Sequence, residues 1–127
     1  MIGAVSAPDD RWPRSVYHGG TEPDPRFSLA NERTFLAWVR TGLALLAGSA
    51  AVDALELPLA DAVETALAAV LALAALVTST VAWRSWALTE RAMREGRPLP
   101  SNPAMAVVLL AVVVAALVLA LGTLTGG

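Results

Sequence analysis

The sequence predicts an all-α integral membrane protein with three transmembrane helices. Apolar residues make up 56% of its 127 residues, against about 45–50% (glycine included) in an average soluble domain. Three runs are long and almost free of charge: Phe35 to Val52 carries only Arg40, and Thr65 to Trp83 and Ala104 to Leu124 carry none. Each approaches the roughly 20 residues that cross a hydrocarbon core of about 30 Å. A soluble bundle would need polar faces on the second and third runs, and they have none.

Each element has its own punctuation. The first 25 residues hold Pro8, Pro13, Pro23, Pro25 and the pair Gly19-Gly20. They have no apolar core of a signal peptide and read as a disordered cytoplasmic tail, which leaves residues 26–127 as the three-helix domain. The first span is expected over about 29–52, starting near Ser28. The second is expected over about 62–95, because Asp61 and Glu64 form a D-x-x-E start and Ser85 to Glu95 contains no helix breaker. That length predicts a cytoplasmic extension of the helix, ended by Gly96, Pro98 and Pro100. The third span, about 103–125, opens on Asn102-Pro103, an N-cap followed by proline at the first position.

Charge sets the direction. Arg26 and Arg33 precede the first span, and Arg84, Arg91, Arg94 and Arg97 follow the second. The connection between the first two spans has Asp53, Glu56, Asp61 and Glu64 and no basic residue. The positive-inside rule then places the N-terminus and the second connection in the cytoplasm and the C-terminus outside. Trp83 and Trp86 fall where an interfacial aromatic belt is expected.

Composition also excludes chemistry. With no cysteine there is no disulfide, thiolate nucleophile or cysteine metal site. His18 is the single histidine, without a companion at ligand spacing, so no metal and no cofactor are expected. A net charge of −2 does not suggest a nucleic-acid partner. All nine basic residues are arginine, which fits either bidentate phosphate contacts or the codon bias of a GC-rich genome. Ser28, Thr34 and Thr41 have no nearby histidine or lysine base, and no glycine-rich phosphate loop occurs, so an enzyme is not expected.

Arg26, Arg33 and Arg40 recur every seven residues, close to two helical turns, and so project in one direction wherever the series is helical. Pro25 puts Arg26 at the edge of that helix. The same face continues as Ala37, Ala44, Ala47 and Ala51, and the second helix has a stripe of Ala68, Ala72, Ala75, Ser79 and Ala82. Small-residue stripes allow close approach between transmembrane helices. Arg40 can be read two ways: its head snorkels to the interface or pairs with a carboxylate, or it faces an ion or ligand. Glu32 is expected in a structural ion pair with an arginine of a packed helix, Arg84 first and otherwise Arg91, or with Arg33.

The stretches "RFSLANERTFLAWVRTGLAL" (Arg26 to Leu45) and "WRSWALTERAM" (Trp83 to Met93) resemble the YidH family of small bacterial inner-membrane proteins. The resemblance covers roughly residues 24 to 125 and implies three spans in the bacterial plasma membrane. The same domain is similar to the membrane part of the vacuolar transporter chaperone, a polyphosphate-making complex whose three-helix units form a five-subunit ring around a basic pore. That similarity implies a pore-lining first helix, with Arg26, Glu32, Arg33 and Arg84 at the matching positions. The chain lacks a domain that recognises or polymerises phosphate, so synthesis is not implied.

Two functions follow. One is a self-associating, non-enzymatic protein whose Arg26, Arg33, Arg40 and Arg84 bind or conduct phosphate-type polyanions such as polyphosphate at a cytoplasmic vestibule. The other is a membrane scaffold or accessory subunit, in which the same arginines bind anionic lipid and the alanine faces hold a partner protein.

Overall fold

The computed structural model describes residues 9–126. The part of the expected tail before residue 9 lies outside the described residues. A short helix, α1 (Arg14–Tyr17), precedes three long ones: α2 (Pro25–Ala54), α3 (Asp61–Glu95) and α4 (Ala104–Leu124). All three long helices are apolar and long enough to cross a membrane.

The side-chain distribution is that of a protein in lipid. Its buried apolar positions are mostly alanine (Ala74, Ala75, Ala82, Ala92, Ala104, Ala111), whereas Leu36, Leu43, Leu73, Leu76, Leu109, Leu117 and Leu121 point outward. In water, burying leucine would drive folding; in lipid it gains little, so small residues take the contacts and large ones face the acyl chains.

Packing runs through α3. Both α2 and α4 lie against it, and they make no comparable contact with each other. The α2–α3 contact places Gly42 over Ala75 and Ser79 and Gly48 over Leu71. Ser49 Oγ donates to the Ala68 carbonyl at 2.7 Å. The small-residue stripe of α3 therefore meets α2, at Ala68, Ala75 and Ser79. On the other side Gly122 of α4 meets Val63, and the buried Thr78 hydroxyl has no hydrogen-bond partner among the described residues.

Helix ends differ in detail from the sequence reading. α2 begins at Pro25, three residues ahead of Ser28, because the Asp24 side chain accepts the Arg26 N–H at 2.9 Å. Proline suits that first position, where its missing N–H costs nothing. Asp61 lies inside the first turn of α3, with Ala60 as the flanking residue. Its carboxylate therefore acts through the helix dipole and makes no capping hydrogen bond. Gly96 ends α3 at φ +67°, which lets the Arg97 N–H return to the Ala92 carbonyl at 2.9 Å. Asn102 Oδ1 accepts from Ala104 N–H at 2.9 Å and holds the start of α4. At about 1.5 Å per residue, α3 is roughly 50 Å long, so it extends well beyond a hydrocarbon core.

That extension changes the fate of residues 9–24. Expected as a tail unable to fold alone, they are docked along the end of α3. Val16 is buried, with 2% of its surface exposed. Arg94 is the anchor: Nε donates to the Gly19 carbonyl at 2.9 Å, Nη2 to the Tyr17 carbonyl at 2.9 Å, and Nη1 meets Glu22 at 3.2 Å. The Thr21 N–H returns a bond to the Arg94 carbonyl at 2.8 Å. The segment has too little apolar surface to fold by itself, but α3 supplies both a surface and a buried guanidinium.

Candidate functional site

The arginine-rich end of the molecule carries two separate arrangements. The first is a face of α2. Arg33 and Arg40 are exposed, as are Ala37, Ala44 and Ala47 on the same side. Gly42, nine residues from Arg33 and so about 180° around the helix, is buried against α3. The arginine stripe thus points away from the chain's own packing. Neither Arg33 nor Arg40 takes part in an ion pair among the described residues.

The other expected site residues divide. Arg26 is inside α2 but folds back on Asp24, Nη2 to Oδ2 at 2.8 Å, and stays exposed. Arg84 and Arg91 are seven residues apart on α3, both exposed, and neither is ion-paired among the described residues. Among the described residues no ion pair joins Glu32 to Arg84, Arg91 or Arg33. Glu32 lies about 100° from Asn31 around the helix, on exposed surface, where a carboxylate needs no partner.

A different carboxylate joins the helices. Glu90 is 2% exposed. Its Oε2 accepts from Ser28 Oγ at 2.8 Å, and its Oε1 accepts from Asn31 Nδ2 at 3.2 Å; Asn31 also donates to the Trp86 carbonyl at 3.1 Å. The sequence reading missed Glu90 and Arg94. A signal was present: Trp83, Trp86 and Glu90 recur at spacings of three and four, one face of α3, and Arg94 continues it.

Around Glu90 the aromatic rings gather. Trp83 lies 5.2 Å from Trp86 and 6.0 Å from Phe35, and Tyr17 lies 6.3 Å from Trp86. Trp12, from the docked segment, stacks on Trp83 at 5.5 Å. Arg11 sits over the Tyr17 ring at 4.4 Å and bridges Asp9 and Glu22. Hydrogen bonds from Arg11 hold the Asp9 carboxyl down at about 2. The same guanidinium, helped by Arg94, lowers Glu22 to about 2. Burial, followed by the charge of Glu90, raises the Tyr17 phenol.

Comparison with known proteins agrees with this architecture. Residues 26–92, from the first turn of α2 to past Glu90, match the family described as Domain of unknown function (DUF202). Inner membrane protein YidH of Escherichia coli strain K12 is 41% identical over 104 residues, spanning 80% of this chain and 90% of its own length. Uncharacterized protein Rv2272 of Mycobacterium tuberculosis strain H37Rv is 46% identical over 106 residues, covering 78% and 86% respectively. No solved structure matches the chain. With three apolar helices and relatives that are inner-membrane proteins, the chain belongs to the DUF202 family of YidH-like membrane proteins.

Proposed function

We infer that the protein is a non-enzymatic, self-associating membrane protein whose α2 faces line an arginine-rich vestibule for phosphate-type polyanions. One observation carries the reading: Arg33 and Arg40 share an exposed face, unpaired among the described residues, on the side of α2 turned from α3. Cations at membrane depth facing lipid are costly. A ring of copies gives that face protein or water instead, and Ala37, Ala44 and Ala47 let neighbouring helices approach. Converging arginines repel one another, so the assembly favours anions in its lumen. Arginine suits this role because it stays charged when partly desolvated.

The orientation follows the charge asymmetry, with the α3 extension cytoplasmic and the end of α4 external. Reporter fusions after Gly96 will read as cytoplasmic and those at the C-terminus as external. A cytoplasmic C-terminus would reverse the proposed vestibule.

Exposed Arg84 and Arg91 favour a second reading, a scaffold bound to anionic lipid. The two separate on purified protein in nanodiscs. Each of Arg33→Leu and Arg40→Leu will weaken polyphosphate binding about fivefold, taking about 1 kcal/mol per arginine. Arg40→Leu will also insert more readily, by roughly 3 kcal/mol on insertion scales. Unchanged polyphosphate binding in both variants, or a strictly monomeric particle, removes the vestibule and leaves the scaffold.

A further inference from the structure

Glu90 is an unusual group to find in an arginine-rich region. It is almost wholly buried, yet no arginine or histidine pairs with it among the described residues. Its two hydrogen-bond donors, Ser28 and Asn31, are neutral. A buried carboxylate ordinarily requires a compensating cation or a proton. Arg94, one turn along α3, is committed to two backbone carbonyls and Glu22, and Arg11 to Asp9 and Glu22.

A cavity of about 250 Å³ opens beside Glu90, and its walls include Tyr17, Phe35, Trp83, Trp86 and a second carboxylate, Glu32. Its size is below that of pockets for drug-sized ligands, which run to about 300–1,000 Å³, and suits a small headgroup. The chemistry is one-sided: four aromatic rings, two carboxylates and no basic residue line the space. Aromatic faces are electron-rich and attract cations that are only weakly hydrated, as alkylated ammonium groups are. An anionic ligand would meet two like charges here, and a purely apolar one would leave Glu90 uncompensated.

We propose that the aromatic cavity between the docked N-terminal segment, α2 and α3 binds an organic ammonium group, with Glu90 as its counter-ion and Trp83, Trp86, Phe35 and Tyr17 as its cage. The ammonium comes either from a soluble amine or from an amine-bearing lipid headgroup at the membrane surface. This site is distinct from the arginine face of α2 and does not depend on the polyanion reading. The docked segment completes it, because Tyr17 is supplied from α1.

The test is a tryptophan-fluorescence titration of the purified full-length protein. In detergent, tetramethylammonium and ethanolamine will give a saturable change that sodium chloride at equal ionic strength does not. Glu90→Gln, which keeps the size of the side chain, will weaken that binding at least tenfold. Trp83→Leu, at a ring already 40% exposed and so tolerant of change, will weaken it as well when followed by calorimetry. In nanodiscs, a response to phosphatidylethanolamine over phosphatidylglycerol that Glu90→Gln removes assigns the site to the lipid headgroup. A response to the soluble amines alone assigns it to a solute. No saturable response in either medium overturns the proposal, as does binding that survives both substitutions, which would leave Glu90 as a structural link between α2 and α3 alone.

Discussion

Gly42→Leu will force α2 away from α3 and destabilise the protein by about 3 kcal/mol or more, at the upper end of overpacking costs. Even a Cβ at this position would stand 2.7 Å from Ser79 Oγ and 3.7 Å from the Ala75 carbonyl. A leucine adds three more carbons with nowhere to go but into the α3 backbone. Thermal unfolding in detergent, followed by helical circular dichroism, will show the loss. Gly42→Ala is a milder case, since the Ser79 hydroxyl can rotate away and Ser79 Cβ is at an ordinary 4.0 Å. Combining it with Ser79→Ala will restore near-normal stability. Gly48→Ala, whose Cβ would meet Leu71 at 3.5 Å, will be nearly neutral. Ala44→Leu, on the exposed arginine face, will leave the α2–α3 pair intact and instead change the oligomeric state if α2 lines an assembly. A Gly42→Leu protein as stable as the parent would mean that α2 does not use this face.

Arg94→Ala will release the N-terminal segment from α3, costing its docking about 3 kcal/mol. The guanidinium donates to two carbonyls and meets Glu22, and hydrogen bonds from a charged donor are worth about 1.5–3 kcal/mol each without adding in full. Arg94→Lys will recover only part of the loss, because a single ammonium cannot reproduce the planar fork. Gly20→Ala will release the segment by another route. Gly20 has φ +71°, and a Cβ there would fall on the Arg94 backbone carbonyl. Hydrogen exchange at residues 14–21 and tryptic cleavage after Arg11 or Arg14 are the readouts. Protection unchanged in both Arg94→Ala and Gly20→Ala would refute the latch, while unchanged helical stability would confirm that the transmembrane helices fold without it.

How far the sequence was legible varied along the chain. Span limits came within a few residues because uncharged length is a local property, and Gly96 and Asn102-Pro103 act on their immediate neighbours. The start of α2 moved to Pro25 because Asp24, read as part of a polar tail, caps the helix. Glu32 was singled out because a carboxylate beside a span draws attention, but its neighbour Asn31 makes the hydrogen bonds to α3, and Glu32 only lines the cavity beside them. The residue that carries the contact is Glu90, 58 positions further on in a segment read only as a helical extension.

The sequence by itself determined that this is a membrane protein with three long helices, that every arginine lies toward one end while the connection at the other end carries only acids, and that Arg33 and Arg40 share a face. Those properties depend on hydropathy over about 20 residues and on helical periodicity, which any single segment expresses alone. Only the tertiary structure decided that α3 is the common partner of α2 and α4, that the arginine face is turned outward, and that residues 9–24 dock on Arg94. It also placed Glu90 among aromatic rings drawn from α1, α2 and α3. Each of these is a choice among several faces of similar small-residue character, and in a chain so rich in alanine many pairings look alike. What separates them is shape at close approach, such as Gly42 against Ser79 or one buried guanidinium meeting two carbonyls, and those fits exist only once the helices are side by side.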